Sequence, residues 1–140
     1  MDSILISELK KSRIHLSRYI GCDYNDIVYS SNPTTAINTI TKSLNNLNPG
    51  DEVLTTNHEY GAMNKTWEYF CKTNGLIYNM QNIKIPVSDH KNFVEQFWEG
   101  VNKNTKIIFI SHITSSTALI FPIKEICKRA RLCGILTIID

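Results

Sequence analysis

The 140-residue chain carries a formal net charge of +2, with 42% hydrophobic and 20% charged residues, the composition of an ordinary globular domain. Its basic residues form only two short runs on predicted helices, Lys10–Arg13 and Lys128–Arg131, so nucleic acid is not an expected partner. No apolar run is long enough to span a membrane, so no membrane partner is expected. The segment 1–9 lacks the basic and apolar parts of a secretory signal, which predicts a cytoplasmic location.

Apolar periodicity and breaker residues predict helices that alternate with strands. The predicted helices are Ile4–Ile20, Pro33 to near Asn48, Glu59–Lys72, a segment capped by Asp89, and Pro122 to Gly134. The predicted strands are Asp26–Tyr29, Asp51–Thr56, Leu76–Met80, Lys106–His112 and Ile135–Asp140. Regular alternation after residue 35, with continuously apolar late strands, predicts an α/β fold whose parallel sheet is covered on both faces. Glycine fingerprints of dinucleotide-binding folds and P-loops are absent from the sequence.

The segment Ser31–Asn38 contains the clearest candidate for ligand binding. Pro33 suits the first turn of a helix, and Asn32 before it is a suitable N-cap. A helix N-terminus beside the hydroxyls of Thr34 and Thr35 can bind an anion, although an ordinary capped helix has the same pattern.

Polar residues follow the predicted strands where each strand ends. In open α/β sheets, ligands bind beyond the carboxyl ends of the strands. The segments at those ends are Thr55–Tyr60, Ser111–Thr117 and Asp140, and the helix start at Thr34 would join them on one rim. Hydroxyls, an aromatic ring, a carboxylate and an anion site together predict a phosphorylated, flat, nitrogen-bearing ligand.

Four motifs, in this order, resemble the class V aminotransferases, which are fold type I enzymes that use pyridoxal 5'-phosphate (PLP). The motifs are Asn32–Asn38, Pro49–Thr56 with His58–Ala62 and Trp67, Ser111–Ala118 before Pro122–Ile126, and Gly134–Asp140. The family includes cysteine desulfurases and isopenicillin N epimerase-like proteins, and the His58–Ala62 form is similar to the epimerase-like branch. The resemblance implies the three-layer α-β-α large domain of this fold, an amino-acid substrate and a homodimer.

For the cofactor, the resemblance assigns roles residue by residue. Thr34, with the backbone amides of Thr34 and Thr35, would hold the phosphate. Tyr60 would stack on the pyridine ring, or His58 would do so if the motif is aligned differently. The alternative for Tyr60 is an aromatic side chain of the core or the rim that binds no ligand.

Two further residues would face the ring and the substrate. Ser115 falls where relatives contact the ring hydroxyl or the substrate carboxylate. Asp140 would pair with the protonated pyridine nitrogen, which makes the ring an electron sink. The four cysteines lack metal-ligand spacing, so no metal is expected and reduced thiols are predicted.

The resemblance also implies groups that are not found in these residues. The Schiff-base lysine would follow a further strand beyond Asp140, and a small C-terminal domain would supply a substrate-binding arginine. Residues 1–140 are therefore expected to be the N-terminal part of the PLP-binding domain, truncated after Asp140 and inactive alone. Transamination, desulfuration and epimerisation stay open. The alternatives are a truncated non-catalytic remnant or partner subunit, and an unrelated phosphate- or nucleotide-binding α/β module.

Overall fold

A computed structural model describes residues 3–87 and 89–140, which form two compact units that divide after Asn32. The first unit contains helix α1, Ser3–Ile20, as predicted. The predicted strand Asp26–Tyr29 is wrong, because Tyr24–Asp26 is a 3-10 turn and the following residues have no regular structure. The Asp23 carboxylate accepts a hydrogen bond from the Asn25 N–H at 2.7 Å and so favours the turn.

The second unit, Pro33–Asp140, has the predicted α/β architecture. Its helices are α2 (Pro33–Ser43), α3 (Gly61–Asn74), α4 (His90–Trp98) and α5 (Ile123–Leu132). Its strands are β1 (Glu52–Thr56), β2 (Ile77–Gln81), β3 (Thr105–Ile110) and β4 (Leu136–Ile139). All strand pairs are parallel, in the order β2-β1-β3-β4.

Side-chain alternation along the strands divides the core between the two faces of the sheet. On one face, Val53, Ile107 and Phe109 pack with buried residues of α2 and α3, among them Ile37 and Trp67. On the other face, the neighbouring strand residues pack with α4 and α5; this cluster includes Leu54, Ile108, Ile110, Phe93, Phe97 and Ile126. The sheet therefore forms the middle of three layers, as the predicted fold requires.

The connections reverse direction between β1 and β3. Helix α3 carries the chain from β1 to β2 on one face, whereas α5 carries it from β3 to β4 on the other face. The loops that leave β1 and β3 therefore diverge. This is the switch point at which open α/β sheets bind ligands.

The bounds of several elements differ from the predictions, among them those of α2 and α3. Helix α2 ends at Ser43 and not near Asn48. Helix α3 begins at Gly61, so Glu59 lies in the loop between β1 and α3. Within residues 3–87 and 89–140, no helix combines the length and the apolar character that crossing a membrane requires.

Candidate functional site

A cavity of about 370 Å³ lies at the carboxyl edge of the sheet, within the second unit. Its lining comes from α2, from the segments that follow β1 and β3, and from the end of β4. The lining residues are Pro33, Thr34, Tyr60, Met63, Ser111, Ile113, Ser115 and Asp140. The structure thus brings together four of the residues that the sequence singles out, Thr34, Tyr60, Ser115 and Asp140.

Thr34 lies in the first turn of α2, which begins at Pro33 as predicted. The Thr34 side chain is half-buried, and its carbonyl oxygen accepts a hydrogen bond from Asn38 Nδ2 at 2.9 Å. Negative charge is favoured at such a helix N-terminus. Thr35 is exposed and does not line the cavity.

Tyr60 and His58 occupy different environments although only one residue separates them. Tyr60 is the N-cap residue of α3, is 51% exposed and lines the cavity. His58 is half-buried, and its Nε2–H donates to the Ile83 carbonyl oxygen at 2.9 Å. The His58 ring also meets the Phe121 ring edge-on, with centroids 6.2 Å apart. His58 does not line the cavity.

Ser115 is presented by a tightly bonded loop after β3. Thr114, which is buried, donates its N–H to the Leu119 carbonyl and accepts the Leu119 N–H on Oγ1, both at 3.0 Å. The hydroxyls of Thr114 and Thr117 lie 2.7 Å apart. These bonds hold the base of the loop together, and Ser115 is exposed beyond it.

Asp140 follows β4 and is held by its backbone against the end of β3. The Asp140 N–H donates to the Ile110 carbonyl at 3.2 Å, and the His112 N–H donates to the Asp140 carbonyl at 2.8 Å. The side chain is exposed at the rim of the cavity. Partial desolvation nevertheless raises the pKa of the Asp140 carboxyl.

Glu59 is a residue that sequence reasoning missed. It is 7% exposed, and its Oε1 accepts a hydrogen bond from Thr56 Oγ1 at 2.6 Å. Its Oε2 accepts from both the N–H and the hydroxyl of Ser111, at 2.9 and 2.5 Å. Burial raises the pKa of Glu59, the Ser111 and Thr56 donors oppose that rise, and the charge of Asp140 adds to it. The signal in the sequence that could have indicated Glu59 is an acidic residue shortly after an apolar strand.

Other kinds of site are less well supported. A groove of about 800 Å³, lined by residues of α4 and α5, contains none of the predicted site residues. Within the part of the chain that the structure describes, no group of three or more His, Cys, Asp or Glu residues could hold a metal ion. The cysteines are unpaired by disulfides, and burial raises the pKa of Cys71 to about 12, which disfavours its reactive thiolate.

Curated relatives of this chain include epimerases and desulfurases. It is 30% identical over 131 residues to an isopenicillin N epimerase of Amycolatopsis lactamdurans, covering 92% of this chain and 33% of the relative. It is 33% identical over 134 residues to the isopenicillin N epimerase of Streptomyces clavuligerus, covering 94% of this chain and 33% of the relative. A probable cysteine desulfurase of Synechocystis sp. is 28% identical over 82% of this chain and 27% of its own length. The chain therefore spans about a third of the length of these relatives.

Solved structures show the same fold. A mutant of the enzyme C-DES, with glycine covalently linked to its PLP cofactor, matches with a TM-score of 0.83 at 19% identity, covering 99% of this chain and 38% of C-DES. An apo cysteine desulfurase from Thermococcus onnurineus matches with a TM-score of 0.81 at 20% identity, covering 96% of this chain and 33% of that one. The family model for class V aminotransferases matches residues 2–140, and the chain accordingly belongs to the class V aminotransferase family.

Proposed function

We propose that residues 1–140 are the N-terminal, cofactor-binding part of a PLP-dependent enzyme that acts on an amino acid. The observation that carries the proposal is that Thr34, Tyr60, Ser115 and Asp140 line the same cavity. These four side chains come from separate segments of the chain, and family membership makes PLP the ligand to expect there. The epimerase and desulfurase relatives support an amino-acid substrate.

The chemistry of the lining fits PLP. Thr34, in the first turn of α2, would bind the phosphate, with the exposed Thr35 beside it. Tyr60 would stack on the pyridine ring, since its aromatic side chain borders the cavity while His58 bonds to Ile83 outside it. The cavity volume of about 370 Å³ falls within the range of small-molecule pockets.

Asp140 and Ser115 would bind other groups of the cofactor. The Asp140 carboxyl would accept a hydrogen bond from the protonated pyridine nitrogen, and this cation would compensate the desolvation that raises the carboxyl pKa. Ser115 would donate to the ring hydroxyl or to the substrate carboxylate. When bound, PLP supplies an electron sink for negative charge at the α-carbon of an amino acid.

We further propose that the remaining catalytic groups come from polypeptide beyond these residues. Among the described residues, no lysine lines the cavity, and the chain spans about a third of the length of its relatives. Without a Schiff-base lysine and a small C-terminal domain, residues 1–140 alone would not turn over substrate. A cytoplasmic homodimer is part of the same proposal, and the reaction would be epimerisation, desulfuration or transamination.

The test compares Thr34→Ala and Asp140→Asn in the full-length protein as its gene encodes it. Calorimetric titration with pyridoxine 5'-phosphate avoids side reactions, because this compound has no aldehyde to react with lysines. We expect about a tenfold loss of affinity for Asp140→Asn and a several-fold loss for Thr34→Ala, since each removes a hydrogen bond to a charged group. Thr39→Ala, in the exposed middle of α2, is the matched control and should bind normally.

Unchanged affinity in both site variants, or an equal loss in Thr39→Ala, would show that the cofactor assignment is wrong. If the site variants do lose affinity, borohydride reduction of the PLP-loaded protein separates an enzyme from a non-catalytic protein. A trapped lysine adduct supports the enzyme. Binding without any adduct supports a non-catalytic remnant or partner subunit.

A further inference from the structure

A continuous set of hydrogen bonds crosses the carboxyl edge of the sheet from β1 to β4. Glu59, after β1, accepts both the N–H and the hydroxyl of Ser111, which follows β3. The residues on either side of Ser111 bond to the backbone of Asp140. The Ile110 carbonyl accepts the Asp140 N–H, and the His112 N–H donates to the Asp140 carbonyl. Glu59 thus binds Ser111, which lies between the two residues that bond to the backbone of Asp140.

The position of Glu59 is itself well defined. Thr56 Oγ1 donates to its Oε1 at 2.6 Å, and the same hydroxyl oxygen accepts the His58 N–H at 3.2 Å. The side chain is buried, and no Lys, Arg or His of the described chain lies within ion-pair distance of it. Its position is therefore set by Thr56 and Ser111, not by a counter-ion.

We propose that Glu59 is a positioning residue for this cavity: by fixing Ser111, it sets where the Asp140 carboxyl stands relative to the ligand. The proposal rests on the proposed function, because Asp140 is the group through which Glu59 acts. Glu59 does not itself line the cavity, whereas Ser111 and Asp140 do.

Glu59→Ala removes the acceptor for both Ser111 donors. The segment around Ser111 then lacks its hydrogen bonds to the loop after β1. Asp140, which bonds to the two neighbours of Ser111, is consequently held less firmly. Glu59→Gln keeps one side-chain oxygen that can accept the Ser111 N–H and hydroxyl, and its amide group can donate to Thr56 Oγ1. Glutamine should consequently restore most of the positioning that alanine removes.

The experiment is a double-mutant cycle on the affinity of the full-length protein for pyridoxine 5'-phosphate. The cycle comprises wild type, Glu59→Ala, Asp140→Asn and the double variant. We expect Glu59→Ala to weaken binding about fivefold in the wild-type background and less than about twofold in the Asp140→Asn background. We also expect Glu59→Gln to recover affinity to within about twofold of wild type. Ultraviolet absorbance of the bound ring against pH gives a second readout, because a misplaced Asp140 lowers the pH at which the ring nitrogen loses its proton.

Glu52→Ala is the matched control, since Glu52 is an equally buried glutamate at the opposite end of β1. It should lower stability but change the affinity of the folded protein by less than about twofold. Equal losses from Glu59→Ala in both backgrounds, or no loss in either, would overturn the proposal. If Glu59→Ala does not fold, Thr56→Val loosens Glu59 without altering the cavity lining and replaces it in the same cycle. A wild-type protein that does not bind the probe would instead refute the proposed function.

Discussion

Two buried glutamates, one at each end of β1, use the same chemistry for different purposes. Glu52, the first residue of β1, is 5% exposed, and Glu59, three residues past its end, is 7% exposed. Glu52 accepts hydrogen bonds from Asn79 Nδ2 at 3.1 Å, Asn102 Nδ2 at 3.0 Å and Thr105 Oγ1 at 2.6 Å. Each carboxyl therefore joins neighbouring strands without an ion-pair partner among the described residues.

The difference lies in what their partners do next. The partners of Glu52 are side chains on β2, at the start of β3 and in the loop before it, so this carboxyl stabilises the amino edge of the sheet. Glu59 instead holds Ser111, which lines a cavity and lies beside the two bonds to Asp140. A buried carboxyl can thus stabilise the fold at one edge and, at the other, hold a residue that lines a cavity. The surroundings of the residue that the carboxyl binds decide which of these two roles it has.

The largest effect on stability is expected from Glu52→Ala. The substitution removes the shared acceptor of three donor groups, of which Thr105 is buried, Asn79 is half-buried and Asn102 is exposed. This should lower the free energy of unfolding by about 3 kcal/mol. Urea denaturation followed by circular dichroism measures this loss, with Glu52→Gln as the milder comparison. A loss below about 1 kcal/mol would contradict the structural role given to the amino edge.

A smaller and pH-dependent effect is expected from Glu59→Gln. Burial raises the pKa of Glu59 in the folded protein, so between the unfolded and folded pKa values the folded state binds more protons. The stability that Glu59 contributes is therefore fully present below the unfolded pKa and is lost as the pH rises through the folded pKa. Asp140 adds to the rise of the Glu59 pKa, and Glu59 in turn raises the pKa of the Tyr78 phenol of β2; both residues are unchanged in the variant.

Glutamine does not titrate, so the difference between the two proteins reports Glu59. At acid pH the variant should be about 1 kcal/mol less stable, and this deficit should shrink as the pH rises. Urea midpoints at about pH 5 and about pH 8 measure the change. A deficit that grows with pH would mean that the Glu59 carboxylate is stabilised by the fold, against the direction stated for its pKa.

An effect of similar size is expected at a glycine of the amino edge, and the difference between two glycines is smaller still. Gly75 ends α3 at φ +68°, and a Cβ added there would lie 3.3 Å from Pro49 Cβ. Gly134 has the same φ with nothing near its added Cβ. Alanine should cost about 1 kcal/mol at either site, and a few tenths more at Gly75 because of Pro49. Thermal unfolding of both variants tests this, and a larger cost at Gly134 would contradict the steric reason.

The alternating pattern of the second unit was predictable because its signals are local. Apolar strands with helical segments between them indicated the parallel sheet, and Pro33 indicated the start of α2. Asp89 was recognisable as the cap of α4, where it accepts the Asn92 N–H at 2.7 Å. The run Asp26–Tyr29 misled the prediction, because an apolar tetrapeptide becomes a strand only beside another strand. The described residues of the first unit provide none.

The sequence alone was enough to indicate the family resemblance, the order of the elements and the strand ends where polar residues would meet. Only the tertiary structure decided which of these residues share one cavity. It separated Tyr60 from His58, and it made Glu59 a link to Ser111, 52 residues away in the chain. The physical reason is that helices, strands and caps depend on neighbours in sequence, whereas the partners of a buried carboxyl come from whichever loops the sheet brings together.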